Sequence, residues 1–254
     1  SGAVRAARGI TGRDMIACCG YHGWQDWFIG STGRNLGVPN VVSDLTLKFQ
    51  YNKIETLEKL FFDNPGKIAA VIMEPVNFIN PQDNFLEKVK LLAHNNGALL
   101  IFDEIITGFR MSLGGAQEFY GVTPDLACFG KAMGNGMPIS AIVGKAKYME
   151  IFNDIFFSFT FGGELASIAA AIETIKALKK RNGIEYIDTM GARLKKGYGD
   201  IVRRMNIEHM TEMIGFNWWP EYLFFDKKGN LSREIQSLFQ QEIVRRGVLS
   251  RAGM

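Results

Sequence analysis

The chain has 254 residues, of which 47% are hydrophobic and 22% are charged, and its formal net charge is +3. This composition is ordinary for a globular protein with a real core, and the small charge, which is not gathered into one basic block, gives little support to nucleic-acid binding. Three cysteines without a CxxC pair and three scattered histidines argue against a disulfide framework and a metal site.

The sequence also lacks the usual features of membrane insertion and secretion. No apolar run approaches the roughly 20 residues of a membrane helix. The first residues carry no apolar core of a signal peptide. We therefore expect a reducing, cytoplasmic setting and no membrane partner.

The spacing of apolar residues predicts helices that alternate with buried strands over the first part of the chain. In chain order these are a helix at residues 3–10, a strand at 15–19, a helix at 53–63, a strand at 68–73 and a helix at 85–96. The predicted strands are continuous apolar runs, which is typical of strands buried on both faces of a parallel sheet. The alternation predicts a mainly parallel α/β sheet with right-handed crossovers and helices on both faces.

Two further predicted strands end in residues that can take part in catalysis. The apolar run at residues 98–102 ends in Asp103-Glu104, and the run at 126–129 leads, after one glycine, to Lys131. Open α/β sheets bind their ligands at the carboxyl ends of the strands. An acid there can pair with the pyridinium nitrogen of pyridoxal phosphate (PLP), and a lysine can form the Schiff base with its aldehyde. Either residue alone is more typical of a turn or a surface, but the two together favour this cofactor.

The character of the chain changes after Gly183. The predicted elements of the second half are a strand at 139–144, a helix at 165–180, a helix at 184–205, strands at 213–218 and 222–225, and a helix at 232–246. We therefore predict a large α/β domain at residues 1–183 and the start of a smaller α+β domain at residues 184–254.

Several segments together resemble the class III aminotransferases, in particular the glutamate-1-semialdehyde aminomutase-like members. The central segments are LLIFDEIITGFR at residues 99–110 and PDLACFGKAMGNGMP at 124–138. Further matches are TGRD at 11–14, GYHG at 20–23 and FTFGGE at 159–164. The resemblance implies a fold-type-I PLP transferase, with a large PLP-binding domain and a smaller C-terminal domain.

The resemblance also implies roles for single residues around the cofactor ring. Lys131 would form the Schiff base, and Asp103 would hold the proton of the ring nitrogen. Tyr21 would stack on one face of the ring with His22 beside it, and Ile105 would pack on the opposite face. Lys131 must be neutral to attack an aldehyde, and we expect its burial to favour the neutral form.

Other assignments have alternatives that the sequence leaves open. Glu104 is expected to orient the cofactor site from behind Asp103. Thr160 would contact the phosphate of the neighbouring subunit, which implies a homodimer with shared active sites, although an ordinary helix N-cap needs the same residue type. Asn77 would reach the phenolic oxygen of the cofactor, or it is a plain loop residue.

Aromatic residues near the Gly20-Tyr21-His22-Gly23 segment allow a second interpretation. Tyr21, Trp24 and Trp27 could simply close the edge of the core instead of facing a ligand. For the two tryptophans we favour this structural role.

The start and end of the chain suggest a fragment. In the family, the first helix follows a glycine-serine or glycine-threonine loop that holds the cofactor phosphate at the helix N-terminus. This loop would lie upstream of Ser1, and the smaller domain would be unfinished at Met254.

The predicted function is PLP-dependent amino-group transfer, either between an amino donor and a carbonyl acceptor or within one molecule, as in an aminomutase. The substrate would be a small amino acid, a semialdehyde or a keto-sugar. The alternative is a catalytically inactive or truncated fold-type-I domain with a structural or dimerisation role. An oxidoreductase ranks third, because Gly134-Asn135-Gly136 lacks the third glycine of a dinucleotide-binding motif and leads into a strand.

Overall fold

The computed structural model describes residues 1–250, which form two compact units. The first unit is Ser1–Arg181, and the second begins at Asn182. The predicted boundary between residues 183 and 184 lies two residues from this division. Over the residues that the structure describes, no helix is both long enough and apolar enough to cross a membrane.

A six-stranded sheet forms the centre of the first unit. Its strands are β1 (Met15–Cys19), β2 (Thr46–Lys48), β3 (Ile68–Met73), β4 (Leu99–Asp103), β5 (Leu126–Phe129) and β6 (Ala141–Gly144). The strand order is β2-β1-β3-β4-β5-β6; β6 is antiparallel to β5, and every other neighbouring pair is parallel. The predicted mainly parallel α/β sheet is confirmed. The edge strand β2 was not predicted, because three residues are too few to show a period.

Helices cover both faces of this sheet. They are α1 (Gly2–Thr11), α2 (Asp26–Ile29), α3 (Asn40–Ser43), α4 (Ile54–Asp63), α5 (Phe85–Asn95), α6 (Ala116–Tyr120), α7 (Ala146–Met149) and α8 (Leu165–Lys180). The four longer helices lie where the sequence predicts them. The other four have only four or five residues each, which is too short for a helical apolar pattern to be recognised.

Alternate residues of the central strands belong to two separate apolar cores. Leu100 and Phe102 of β4 pack on the side of α4 and α5, whereas Ile101 packs on the side of α1 and α2. All three side chains are fully buried, and burial of such a side chain contributes about 1.5–3 kcal/mol to the free energy of unfolding. Burial on both faces explains why these strands are continuous apolar runs.

The second unit is a helix-flanked antiparallel hairpin. Its elements are α9 (Gly183–Met205), β7 (Thr211–Phe216), β8 (Trp219–Phe224) and α10 (Arg233–Arg245). The predicted antiparallel unit is confirmed, although both strands begin two or three residues earlier than predicted. At Gly191 of α9, an added Cβ would lie 1.7 Å from the carbonyl oxygen of Asn217. A glycine is therefore required for α9 to pass this close to the hairpin turn.

Candidate active site

The residues at the carboxyl ends of three neighbouring parallel strands lie in one row, and two of them are acids. The sheet register pairs Met73 of β3 with Phe102 of β4, so that Glu74 and Asp103 follow side by side at the carboxyl edge. Gly20 follows β1 in the same row. Because side chains alternate along a strand, Glu74 and Asp103 point to the same face of the sheet.

Asp103 and His22 form a buried pair at this edge. Oδ2 of Asp103 lies 2.8 Å from Nδ1 of His22, and Oδ1 accepts a hydrogen bond from the Ile105 N–H at 3.2 Å. The other ring nitrogen, Nε2 of His22, lies 3.1 Å from the carbonyl oxygen of Cys19. Both ring nitrogens thus face an oxygen acceptor. The ring is thereby held in a fixed orientation against the Asp103 carboxylate.

Aromatic rings enclose His22 and leave Tyr21 open. The His22 ring lies 6.0 Å from the Trp27 ring in a stacked arrangement and 5.2 Å from the Phe28 ring edge-on. Tyr21 touches Phe28 edge-on at 5.5 Å and remains 63% exposed. Of the two tryptophans expected to close the core edge, only Trp27 does so, because Trp24 is 75% exposed. The open ring of Tyr21 is available to a flat ligand.

Glu74 is a member of this site whose role the sequence did not predict. Its Oε2 accepts a hydrogen bond from the backbone N–H of Tyr21 at 3.0 Å. Burial raises the pKa of Glu74; the Tyr21 hydrogen bond lowers it, Asp103 raises it, and His22 and Lys131 lower it. The sequence signal was the Glu74-Pro75 pair directly after β3.

Lys131 follows β5 at the same edge of the sheet. It is the first residue of a 3-10 turn, Lys131–Met133, and its φ of 41° lies in the left-handed region, which costs a residue with a side chain about 1–3 kcal/mol. The expected burial of Lys131 is wrong for this chain, since the residue is exposed. It lies beyond the last residue of β5 and is therefore not enclosed by the neighbouring strands.

Ile105 lies near this turn. It is half-buried, and its side chain would be 3.8 Å from a Cβ placed on Gly130, the residue before Lys131. The structure thus puts the aliphatic side chain of Ile105 next to the strand end that carries the lysine. Its predicted contact with the cofactor ring stays a prediction.

Glu104 lies behind the loop that precedes α6. It is fully buried and accepts hydrogen bonds from the Thr107 hydroxyl and from the N–H groups of Ala116 and Gln117, the last two at 2.8 Å each. Burial raises the pKa of Glu104, and these hydrogen bonds lower it. As the neighbour of Asp103 along the chain, Glu104 points to the opposite face of the sheet. It therefore braces the loop before α6, and its expected role behind Asp103 stays a prediction.

Thr160 lies in a turn that precedes α8. It is exposed and belongs to a cleft of about 620 Å³. The residues that line this cleft are Pro138, Ile139, Ser140, Phe159, Thr160, Phe161, Gly162, Glu164, Ser167 and Ile168. The Glu164 carboxylate occupies the N-terminus of α8, where it accepts from the N–H groups of Ala166 and Ser167 at 2.8 and 2.7 Å. The N-cap of α8 is thus Glu164, so the alternative in which Thr160 caps this helix is wrong.

The Asn77 side chain forms a hydrogen bond within its own loop. Its Oδ1 accepts a hydrogen bond from the Ile79 N–H at 3.2 Å, which closes a local turn. This bond is the arrangement expected of a plain loop asparagine.

Thiol and metal chemistry have little basis at this edge. Burial raises the pKa of Cys18 to about 11 and the pKa values of Cys19 and Cys128 to about 12, so these thiols stay protonated near neutral pH. Within residues 1–250, no group of three or more His, Cys, Asp or Glu side chains could hold a metal ion. The groups at this edge are the carboxylates of Asp103 and Glu74, the Tyr21 ring and the Lys131 amine.

These residues fit pyridoxal phosphate. A buried carboxylate held by His22 suits a protonated ring nitrogen, the open ring of Tyr21 suits a flat heterocycle, and the amine of Lys131 suits an aldehyde. The mainly parallel sheet, with these groups at the carboxyl ends of its strands, defines a fold-type-I PLP transferase.

Comparisons with known proteins identify the family. Residues 15–218 match the family described as aminotransferase class-III, and the chain belongs to that family. It is 36% identical to the 3-aminobutyryl-CoA aminotransferase of Cloacimonas acidaminovorans over 253 residues, which cover 97% of this chain and 60% of that protein. It is 38% identical to the glutamate-1-semialdehyde 2,1-aminomutase of Chlorobium luteolum over 233 residues, which cover 84% of this chain and 54% of the aminomutase.

A solved structure supports the same fold and the cofactor. The FumI protein of Sphingopyxis sp. MTA144, whose structure contains PLP, superimposes with a TM-score of 0.87 at 28% identity. The match covers 98% of this chain and 60% of FumI. PLP is thus confirmed as the cofactor of the fold and family. The chain spans about 60% or less of the length of these relatives.

Proposed function

We propose that this chain forms the centre of a PLP-dependent amino-transfer site, in which Lys131 bonds the cofactor aldehyde and Asp103 pairs with the ring nitrogen. The observation that carries the proposal is the buried Asp103–His22 pair at the carboxyl edge, with the open ring of Tyr21 beside it. A buried carboxylate whose orientation is fixed by hydrogen bonds is suited to hold a cation, the protonated ring nitrogen, in place.

Each residue has a separate task in this proposal. PLP, when bound, withdraws electrons from the substrate carbon. Asp103 keeps the proton on the ring nitrogen, and His22 fixes the orientation of that carboxylate through its 2.8 Å contact. Tyr21 and Ile105 hold the two faces of the ring. The amine of Lys131, once free, moves a proton at the substrate carbon.

Partners and substrate are proposed from the same site. The reaction needs a small-molecule amino donor and a carbonyl acceptor; the substrate class is a small amino acid, a semialdehyde or a keto-sugar. Thr160 is exposed and does not cap α8, whose N-cap is Glu164. From the family resemblance, we propose a homodimer in which Thr160 completes the site of the other subunit. Residues 1–183 would be the large PLP-binding domain, residues 184–254 the start of the smaller one, and the location cytoplasmic.

The test is borohydride reduction of the protein in the presence of PLP, followed by peptide mapping. Lys145 is the matched internal control, since it also follows a strand, β6, but at the opposite edge of the sheet, where it binds Asp125 at 2.6 Å. We expect a pyridoxyl adduct on Lys131 and none above the surface background on Lys145. The Lys131→Ala variant should lose the specific adduct.

Two outcomes would contradict the proposal. Equal labelling of Lys131, Lys145 and other surface lysines would mean that the edge does not bind the cofactor specifically, which favours an inactive fold-type-I domain. Specific labelling without turnover of any amino donor would keep the cofactor site but remove the proposed transfer activity.

A further inference from the structure

The segment that carries Tyr21 is held at the sheet edge by contacts from two side chains. Residues 20–24 lie outside any helix or strand. His22 fastens the segment through Asp103 and the Cys19 carbonyl. Glu74 fastens it one residue earlier, through the Tyr21 N–H at 3.0 Å. The orientation of the Tyr21 peptide therefore depends on a carboxylate that reaches across from β3.

The backbone is adapted to the close approach of this carboxylate. A Cβ on Gly20 would lie 2.5 Å from Oε2 of Glu74, so that no side chain fits there without displacing the acid. Gly20 also has a φ of 102°, which residues with a side chain rarely adopt. In addition, the Glu74 N–H donates to the Cys19 carbonyl at 3.2 Å, which ties the ends of β1 and β3 together. Glu74 is thus fixed on its backbone side as well as at its carboxylate.

We propose that Glu74 is a positioning residue of the cofactor site: its carboxylate fixes the Tyr21 peptide and thereby holds the Tyr21 ring at the strand edge that carries Asp103. The inference rests on the proposed function and adds a residue to it. Glu74 acts through Tyr21 and needs no contact with the cofactor itself.

Two alternative roles for Glu74 predict different behaviour. If its negative charge were the important property, for example by balancing Lys131, any carboxylate at this position would serve. If the hydrogen-bond acceptor at that distance is important, an uncharged acceptor of the same length would serve and a shorter carboxylate would not. The substitutions Glu74→Gln and Glu74→Asp separate these cases, because the first keeps the reach and loses the charge, whereas the second keeps the charge and loses the reach.

The first readout does not require the cofactor. Residue-resolved amide hydrogen exchange on the PLP-free chain should show faster exchange of the Tyr21 N–H by about tenfold in Glu74→Asp, and a change of less than about threefold in Glu74→Gln, since Gln keeps an acceptor with the same reach and Asp does not. Glu118 provides a matched control, because its carboxylate also accepts from a backbone N–H in a glycine-rich loop, that of Gly114, at 2.7 Å. Glu118→Asp should affect exchange at Gly114 and leave Tyr21 unchanged.

The second readout is the affinity for PLP, measured by titration. We expect Glu74→Asp to weaken binding by about tenfold, Glu74→Gln to stay near wild type, and Glu118→Asp to bind normally. If Glu74 acts through the ring of Tyr21, its substitution should cost nothing further in a Tyr21→Ala background, because the two effects are then not additive.

Failure of the inference and failure of the proposed function can be distinguished. Normal PLP binding by wild type, combined with unchanged Tyr21 exchange in Glu74→Asp or with fully additive losses in the double variant, would overturn the role of Glu74 alone. A wild-type chain that does not bind PLP, but whose Tyr21 exchange still responds to Glu74→Asp, would overturn the proposed function and the cofactor role of Glu74 with it.

Discussion

The central sheet carries an aspartate–histidine pair with a buried carboxylate at each of its two ends. At the carboxyl edge Asp103 lies 2.8 Å from Nδ1 of His22, and at the amino end of β5 Asp125 lies 2.7 Å from Nε2 of His94. Both carboxylates are buried. Judged by residue type and distance alone, the two pairs are nearly equivalent.

The remaining partners distinguish the two edges. Asp125 also accepts from Lys145 Nζ at 2.6 Å and from the Leu100 N–H at 2.9 Å. Burial by itself would raise the pKa of Asp125, but the hydrogen bonds from Lys145, Leu100 and His94 lower it. At the amino edge, the charge of Asp125 is thus compensated by hydrogen bonds. Through these bonds Asp125 ties α5 and the end of β6 to the start of β5.

The carboxyl edge combines features that oppose stability. It brings a second carboxylate, Glu74, with a raised pKa, next to Asp103, and it holds Lys131 in a left-handed backbone conformation. Perturbed acids and backbone strain concentrate at functional sites. An aspartate–histidine pair therefore does not indicate function by itself. The surrounding charges and backbone conformation distinguish the two pairs.

The largest effect is expected at Asp103. The Asp103→Ala variant should lose at least about a hundredfold in turnover of an amino donor, because the partner of the ring nitrogen is removed, whereas PLP retention should fall less. Steady-state rates and the bound PLP absorbance measure the two effects. Wild-type turnover in this variant would show that Asp103 is not the partner of the ring nitrogen.

Removal of Asp125 should affect stability instead of chemistry. We expect Asp125→Ala to lower the free energy of unfolding by about 2–3 kcal/mol, since the buried Leu100 N–H, the Lys145 ammonium and the His94 ring lose their acceptor. Urea denaturation measures the change. In the fraction that remains folded, PLP labelling of Lys131 should equal that of wild type. Loss of labelling in folded protein would show that Asp125 also affects the cofactor site, which would contradict a purely structural role for the amino edge.

The pH dependence of stability should also report on Asp125. A carboxyl whose pKa is lowered by folding contributes stability that is fully present above its unfolded value of 3.8 and is lost as the pH falls through the folded-state pKa. The free energy of unfolding of wild type should therefore fall below about pH 4. Asp125→Asn should show a shallower fall over the same range, and an unchanged slope would mean that other carboxyls account for it.

The smallest effect is expected at Lys145. Its side chain is 41% exposed, so water and salt screen its bond to Asp125. Lys145→Met should lower the free energy of unfolding by less than about 1 kcal/mol, and added salt should reduce the difference. A loss as large as that of Asp125→Ala would show that Lys145 alone compensates the buried acid.

Much of the fold could be predicted from the sequence, because strands buried on both faces and long amphipathic helices leave local, periodic patterns. The strands β1, β3, β4 and β5 are visible as apolar runs, and Asp103 and Lys131 are visible at the ends of two of them. The short helices and β2 leave no such pattern. Their positions depend on contacts made only after the sheet has formed.

The sequence by itself determined the alternation of helices and strands, the family, and the acid and lysine at the strand ends, because all of these are encoded in contiguous residues. Only the tertiary structure decided how the side chains are paired. His22 reaches Asp103 across 81 residues, and Glu74 reaches Tyr21 across 53. Such pairs are set by strand order and register, which bring distant residues into one row, and no local pattern in the sequence records them.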